Sequence, residues 1–323
     1  MPMDDKAADQ IPDIADIFSA KQRINGAVRT TPVLSDPQLN AELGCELWLK
    51  CENLQRTCSF KFRGASNAVA LLDEHGLDGD VATHSSGNHG AALALAASLH
   101  QRLAWIVMPE NSVKTKVEAV RRNGGEVVFC DPNQQAREQG LAALVAKGCI
   151  PVPPYDHGHI ISGQGTVAIE MAEQVPGLEI VLAPVGGGGL ISGSAIAARA
   201  LIPNVMVMGA EPEGAADTAL SLRQGKRVET FPVNTIADGL RAIVGVLNFA
   251  IISENVDKVI TVSEAGIIEA MALVWQRFRM LIEPSSATVV AAVLASPGDF
   301  SGRRVGAIIS GGNVDLDHLP FSS

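Results

Sequence analysis

No basic run, no long apolar run and no paired cysteines occur in this 323-residue chain, and each absence removes a class of function. Lysine and arginine number 25 against 35 acidic residues, a net charge of −10, so a nucleic-acid backbone is not an expected partner. No segment approaches the roughly eighteen uninterrupted apolar residues of a membrane span. The opening MPMDDKAADQ is acidic and lacks the apolar core of a secretory leader, so a cytoplasmic protein is expected. The five cysteines, Cys45, Cys51, Cys58, Cys130 and Cys149, are odd in number and contain no C-x-x-C; they read as free thiols, neither a disulfide framework nor a zinc site.

What is present is apolar bulk. With 47% hydrophobic and 19% charged residues, the chain can bury a large core divided between two lobes. Short apolar runs alternate with helical patterns almost throughout, as in parallel strands joined by crossover helices, and the expected class is α/β. The clearest strands are ELWLK (46–50), AWIVM (104–108), EVVFC (126–130), EIVLAPV (179–185), VMVMGAE (205–211), KVITV (258–262) and RVGAIIS (304–310). Helical patterns include HGAALALAASLHQ, VKTKVEAVRRNGG and EAGIIEAMALVWQRFRM. Residues 78–155 hold alternations of their own, and PVPPYDHGH has the proline spacing of a connector. A smaller substrate-binding domain, 78–155, inserted in a larger cofactor-binding one, 1–77 with 156–323, is the expected organisation.

Four stretches carry chemistry. In TCSFKFRGAS, Lys61 and Arg63 sit at a helix start, either as two solvated charges or with Lys61 turned inward. In PVGGGGLISGSA a buried strand ends in Gly186, Gly187, Gly188 and Gly189 before a helix; bare backbone N–H groups and the helix dipole there suit a phosphate, although a tight packing turn is an equal reading. The dinucleotide pattern G-x-G-x-x-G and the P-loop pattern both fail at this run. THSSGNHGAALA crowds Ser85, Ser86, Asn88 and His89 into a strand-to-helix turn, where open parallel sheets bind ligands and where serine and asparagine also cap helices. ISGGNVD ends a strand at Ser310 beside two glycines.

The motifs S-F-K-x-R-G, S-S-G-N-H-G, G-G-G-G and S-G-G-N-V-D, in that order, resemble the pyridoxal-phosphate enzymes of fold type II, the tryptophan synthase β-like group. Within it the chain is most similar to the serine racemase, threonine dehydratase and hydroxyaspartate dehydratase branch, from about Ile14 to Pro320. The resemblance implies two open, twisted, mostly parallel α/β sheets and a homodimer. It makes Lys61 the residue that bonds pyridoxal phosphate, Gly186 to Gly189 the phosphate site, and Asn88 the partner of the ring's 3′-oxygen. Phe60 and Gly239 would flank the ring, Glu283 would join the cofactor contacts, and Ser310 would meet the pyridine nitrogen. A serine there leaves that nitrogen largely neutral and favours elimination of a β-substituent.

By the same resemblance Ser85, Ser86, Asn88 and His89 bind the substrate carboxylate, and Ser86 matches the acid or base of racemases. Arg137 aligns with an arginine that reaches the substrate, where it suits a second carboxylate. Arg63 is expected to pair with a structural carboxylate. In EPEGAAD, Glu211, the carbonyl of Ala215 and Asp217 correspond to a divalent-cation site for magnesium, manganese or calcium.

Cys58, Ala242 and Tyr155 depart from the racemase pattern, which has glycine, serine and asparagine there. The expected activity is a dehydratase, or ammonia-lyase, that converts a β-hydroxy-α-amino acid to a 2-oxo acid and ammonia; serine, threonine, 3-hydroxyaspartate and phenylserine are the candidates. A racemase with elimination as a side activity is the alternative, and a cofactor-free binding protein is disfavoured by Lys61, Asn88 and Ser310. The chain ends soon after NVDLDHLP, so no regulatory domain answering to isoleucine is expected.

Overall fold

The computed structural model describes residues 10–320, so the acidic opening stretch, Gln10 apart, lies outside it. Its strands are β1 (Val33–Leu34), β2 (Glu46–Cys51), β3 (Val81–His84), β4 (Ala104–Pro109), β5 (Gly125–Cys130), β6 (Ile150–Pro151), β7 (Ile180–Pro184), β8 (Met206–Pro212), β9 (Lys258–Val262) and β10 (Arg304–Ile309). They form two sheets, ordered β1-β2-β10-β7-β8-β9 and β5-β4-β3-β6. Only β1 runs antiparallel to its neighbour, pairing Val33 with Lys50; the other pairings are parallel, such as Val305 with Leu47 and with Ile180. Parallel strands covered by helices on both faces read as continuous apolar runs, which is why seven of the ten stand out in the sequence.

The proline-rich segment is not wholly a connector. Pro151 closes β6, an edge strand, where the missing N–H costs no ladder bond.

The larger sheet is packed on one side by residues such as Leu47, Met208, Ile282 and Val290, and on the other by Val181, Val207, Ile191 and Ile308. The smaller sheet meets Ala92, Leu93, Ala96 and Val120, together with Phe62 and Val69 of the helix Lys61–Glu74. That helix reaches the larger sheet through the helix Gly158–Gln174, whose Val167 and Met171 pack in its core. It touches the helix Gly158–Gln174 where a Cβ on Gly163 would lie 2.6 Å from the Gly64 Cα. The helix Gly158–Gln174 in turn meets the helix Gly189–Leu201, where a Cβ on Gly193 would lie 2.3 Å from the Ile161 carbonyl oxygen. Side chains at these contacts are excluded by backbone approach.

Arg63 leaves the first turn of its helix into the interior and is fully buried. Its guanidinium donates to both oxygens of Glu52 at 2.8 Å and to both oxygens of Glu170 at 2.7 and 2.9 Å. The same Glu170 accepts from Lys50 Nζ at 2.6 Å, and Lys50 also donates to the Thr31 carbonyl and the Gln174 side chain. Two cations and two carboxylates balance here. The expected carboxylate partner of Arg63 is therefore a pair.

Candidate active site

The chemical motifs gather where strands of the two sheets end. Lys61 is the first residue of its helix, following β2, and its part-buried side chain turns away from the Arg63 cluster. Nζ donates to the Pro154 carbonyl at 2.6 Å and lies 5.2 Å from the centre of the Phe60 ring and 5.9 Å from that of Tyr155. Desolvation pushes its pKa down to about 8, against the attraction of Glu283. A neutral amine is therefore accessible close to neutral pH.

Glu283, 3% exposed, precedes the helix Pro284–Ala295. Its two oxygens accept from Asn88 Nδ2, each at 3.0 Å, and burial pushes its pKa up to about 7. The other end of the Asn88 amide accepts from Asn313 Nδ2 at 2.9 Å. Gly311 clears space for Glu283, since a Cβ there would lie 2.7 Å from both carboxylate oxygens. Ser310, at the end of β10, lies 3.0 Å from Ser286 Oγ, which donates to the Gly311 carbonyl at 2.7 Å. Gly239 donates its N–H to Ser285 Oγ at 2.9 Å.

The four glycines follow β7 and are buried. Among the described residues, none accepts a hydrogen bond from the amides of Gly186, Gly187 or Gly188. Buried N–H groups are rarely left so, and an oxyanion would satisfy them. The packing reading of the run holds as well. A Cβ on Gly187 would lie 2.4 Å from the Tyr155 ring, and Gly188 has φ +95°. Tight approach and open amides coexist.

The Ser85–Asn88 loop ends β3 and opens the helix Asn88–Leu99, with Ser85 and Ser86 half-buried. His89 is 2% exposed with Nε2 3.0 Å from the Val152 carbonyl, and desolvation drives its pKa down to about 3. A neutral ring donating to Val152 ties the loop to the segment after β6 and brings no positive charge to a carboxylate. Arg137, half-buried on the helix Gln134–Ala146, sits near His84 and its Nε is buried without a partner. Cys58 has φ +55°, the left-handed region, which explains why a glycine suits that position.

The acidic set lies beside the glycine run, where Val185 N–H donates to the Ala210 carbonyl at 2.9 Å. Glu211 in β8 accepts from the Thr218 and Ala219 amides at 3.1 and 2.9 Å, and Asp217 accepts from Val244 N–H at 2.9 Å. Ala215 lies in the single turn Glu213–Ala215 between them. Desolvation raises both acids, Glu211 to about 8, and neither forms an ion pair with a described residue. Among the described residues no group of three or more His, Cys, Asp or Glu side chains is placed to hold a metal.

Sequence reasoning missed Pro154, Asp156, Asn248 and Ser286. Asp156 stood in the proline-rich connector, but the partners of all four are remote in the chain, so no local pattern marks them.

Comparison with known proteins places nearly the whole chain. The family model "Pyridoxal-phosphate dependent enzyme" matches residues 24–311. The chain is 46% identical over 313 residues to a serine racemase of Dictyostelium discoideum, covering 95% of this chain and 96% of that one. It is 42% identical over 313 residues to a beta-hydroxyaspartate dehydratase of Paracoccus denitrificans, covering 97% and 99%. The solved structure of maize serine racemase superposes with a TM-score of 0.91 at 41% identity, covering 95% of each chain. No helix among the described residues is long and apolar enough to cross a membrane. The chain belongs to the pyridoxal-phosphate-dependent enzymes of fold type II, in the branch that holds the serine racemases and the hydroxyaspartate dehydratases.

Proposed function

We propose that this enzyme is a dehydratase of β-hydroxy-α-amino acids, releasing a 2-oxo acid and ammonia, with 3-hydroxyaspartate the favoured substrate. The observation that carries the substrate choice is Arg137, whose unpartnered Nε near the Ser85–Asn88 loop suits a second carboxylate. The residues fit pyridoxal phosphate: three buried glycine amides without acceptors suit its phosphate, and a desolvated lysine suits its aldehyde.

When bound, the cofactor supplies the electron sink that acidifies the α C–H bond. Lys61 Nζ, neutral above about pH 8, accepts the α-proton. The β-hydroxyl leaves as water, taking the proton that Lys61 accepted, and the released enamine tautomerises and hydrolyses to the 2-oxo acid and ammonia. Ser85, Ser86 and the amides at the start of the helix Asn88–Leu99 hold the substrate carboxylate, with His89 as their support. Asn88 would donate to the cofactor's 3′-oxygen by giving up one of its bonds to Glu283, and Phe60, Gly239 and Ser310 would border the ring.

A divalent cation, magnesium, manganese or calcium, held by Glu211, the Ala215 carbonyl and Asp217 belongs to this proposal. Two buried acids without an ion-pair partner favour it. A homodimer in the cytoplasm is part of the same reading.

Racemisation is the second reading. Ser86, on the loop that opens the helix Asn88–Leu99, supports it, and the serine racemases among the relatives do too. The deciding experiment offers L- and D-serine, threonine, 3-hydroxyaspartate and phenylserine isomers with pyridoxal phosphate and magnesium. Ammonia and 2-oxo acid from 3-hydroxyaspartate above the others is expected; inverted substrate without ammonia would sink the dehydratase.

A further inference from the structure

The helix Val246–Asn255 begins with Gly245, which has no side chain to cap it. The cap comes instead from Asp156, 90 residues earlier. One carboxylate oxygen accepts from Val246 N–H at 2.7 Å, and the other from Leu247 and Asn248 N–H at 3.0 and 3.2 Å. Space for this is made by Gly245 itself, where a Cβ would lie 2.3 Å from the Asp156 carboxyl carbon.

The capped turn then grips the glycine run. Gly245 N–H and Asn248 Nδ2 both donate to the Gly187 carbonyl, at 3.1 and 2.9 Å. In a planar trans peptide the C=O and the following N–H point in opposite directions. Holding the Gly187 carbonyl toward the capped turn therefore aims the Gly188 amide away from it. Gly188 must itself be glycine for this approach, since a Cβ there would lie 2.7 Å from Asn248 Cβ.

We propose that Asp156 is a positioning residue for the phosphate site: by capping the helix Val246–Asn255 it fixes the Gly187–Gly188 peptide and aims its N–H at the cofactor phosphate. This rests on the reading that Gly186 to Gly189 receive that phosphate. Pyridoxal, which lacks the phosphate but keeps the aldehyde, separates the cradle from the lysine.

The experiment measures dissociation constants of pyridoxal phosphate and of pyridoxal for the apoenzyme, from the near-visible absorbance of the adduct with Lys61. Wild type, Asp156→Ala, Asp156→Asn and Asn248→Ala are compared. Asp156→Ala is expected to lower the preference for pyridoxal phosphate over pyridoxal about tenfold, the effect of a lost cap, with pyridoxal affinity unchanged. Asp156→Asn keeps one accepting oxygen but sets an NH2 against a backbone N–H, so it is expected to fall between wild type and Asp156→Ala.

An unchanged preference in Asp156→Ala, or equal weakening of both ligands, overturns the proposal. If Asp156→Ala does not fold, Asn248→Ala carries the test: it removes one bond to the Gly187 carbonyl, is expected to lower the preference too, and an unchanged value overturns the proposal. A wild type that binds both ligands equally refutes the phosphate reading itself, and this inference with it.

Discussion

Lys61 and Arg63 leave the same helical turn in opposite directions and meet opposite surroundings. Arg63 reaches two carboxylates that Lys50 and a ring of neutral acceptors complete. Lys61 reaches one backbone carbonyl and two aromatic rings, and Glu283 acts on it only at longer range. The first arrangement holds the charges of its bidentate pair: the carboxylates keep the Arg63 pKa above its ordinary value and the cations keep that of Glu170 below, while desolvation lowers that of Lys50. The second leaves a proton easy to lose. A buried charge with full partners serves the architecture, and one left short of partners is available for reaction.

The sharpest break of this comparison is Lys61→Ala. It is expected to abolish covalent capture of pyridoxal phosphate and cut turnover by at least about a thousandfold, with little loss of stability because no paired carboxylate is orphaned. Chemical denaturation of the apoprotein, run beside the turnover assay, checks both halves. Arg63→Met should do the reverse. It strands Glu52 in the interior, leaves Glu170 with Lys50 alone, and costs about 3–5 kcal/mol by urea unfolding. Equal destabilisation by the two variants would erase the distinction.

A subtler effect is on pH. Capture needs the neutral amine, so its rate should climb about tenfold per pH unit and level off near pH 8, where Lys61 loses its proton. Glu283→Gln removes the negative charge that raises the Lys61 pKa, so the midpoint should move below 8. A midpoint that stays put or rises would show that the two groups do not sense each other. The smallest effect belongs to Thr166→Val, which deletes a 3.3 Å contact from Arg63; about 1 kcal/mol or less is expected from thermal unfolding.

Much of this was legible in the chain. Strands buried on both faces announce themselves as apolar runs, and glycine loops at their ends mark where ligands bind, so Lys61, Asn88, the glycine run and Ser310 could be named from motif order. β1 and β6 have two residues each, too few to leave a pattern, and β3, Val81–His84, is short and broken by a threonine and a histidine. Arg63 could be given a carboxylate partner but not Glu170, 107 residues away, because ion pairs carry no period. Asp156 was visible only as part of a proline-rich connector. Its role depends on a helix that lacks its own cap, and a missing side chain at Gly245 does not say which residue replaces it.

The glycine seams that join the helices Lys61–Glu74, Gly158–Gln174 and Gly189–Leu201 bear on how the enzyme admits its substrate. With backbone against backbone at Gly64, Gly163 and Gly193, no rotamer can shift to let these helices slide. Lys61 at one end and the glycine run at the other are thus parts of a single stiff frame. Any motion that admits a substrate is therefore expected of the sheet β5-β4-β3-β6 and its serine loop rather than of these helices.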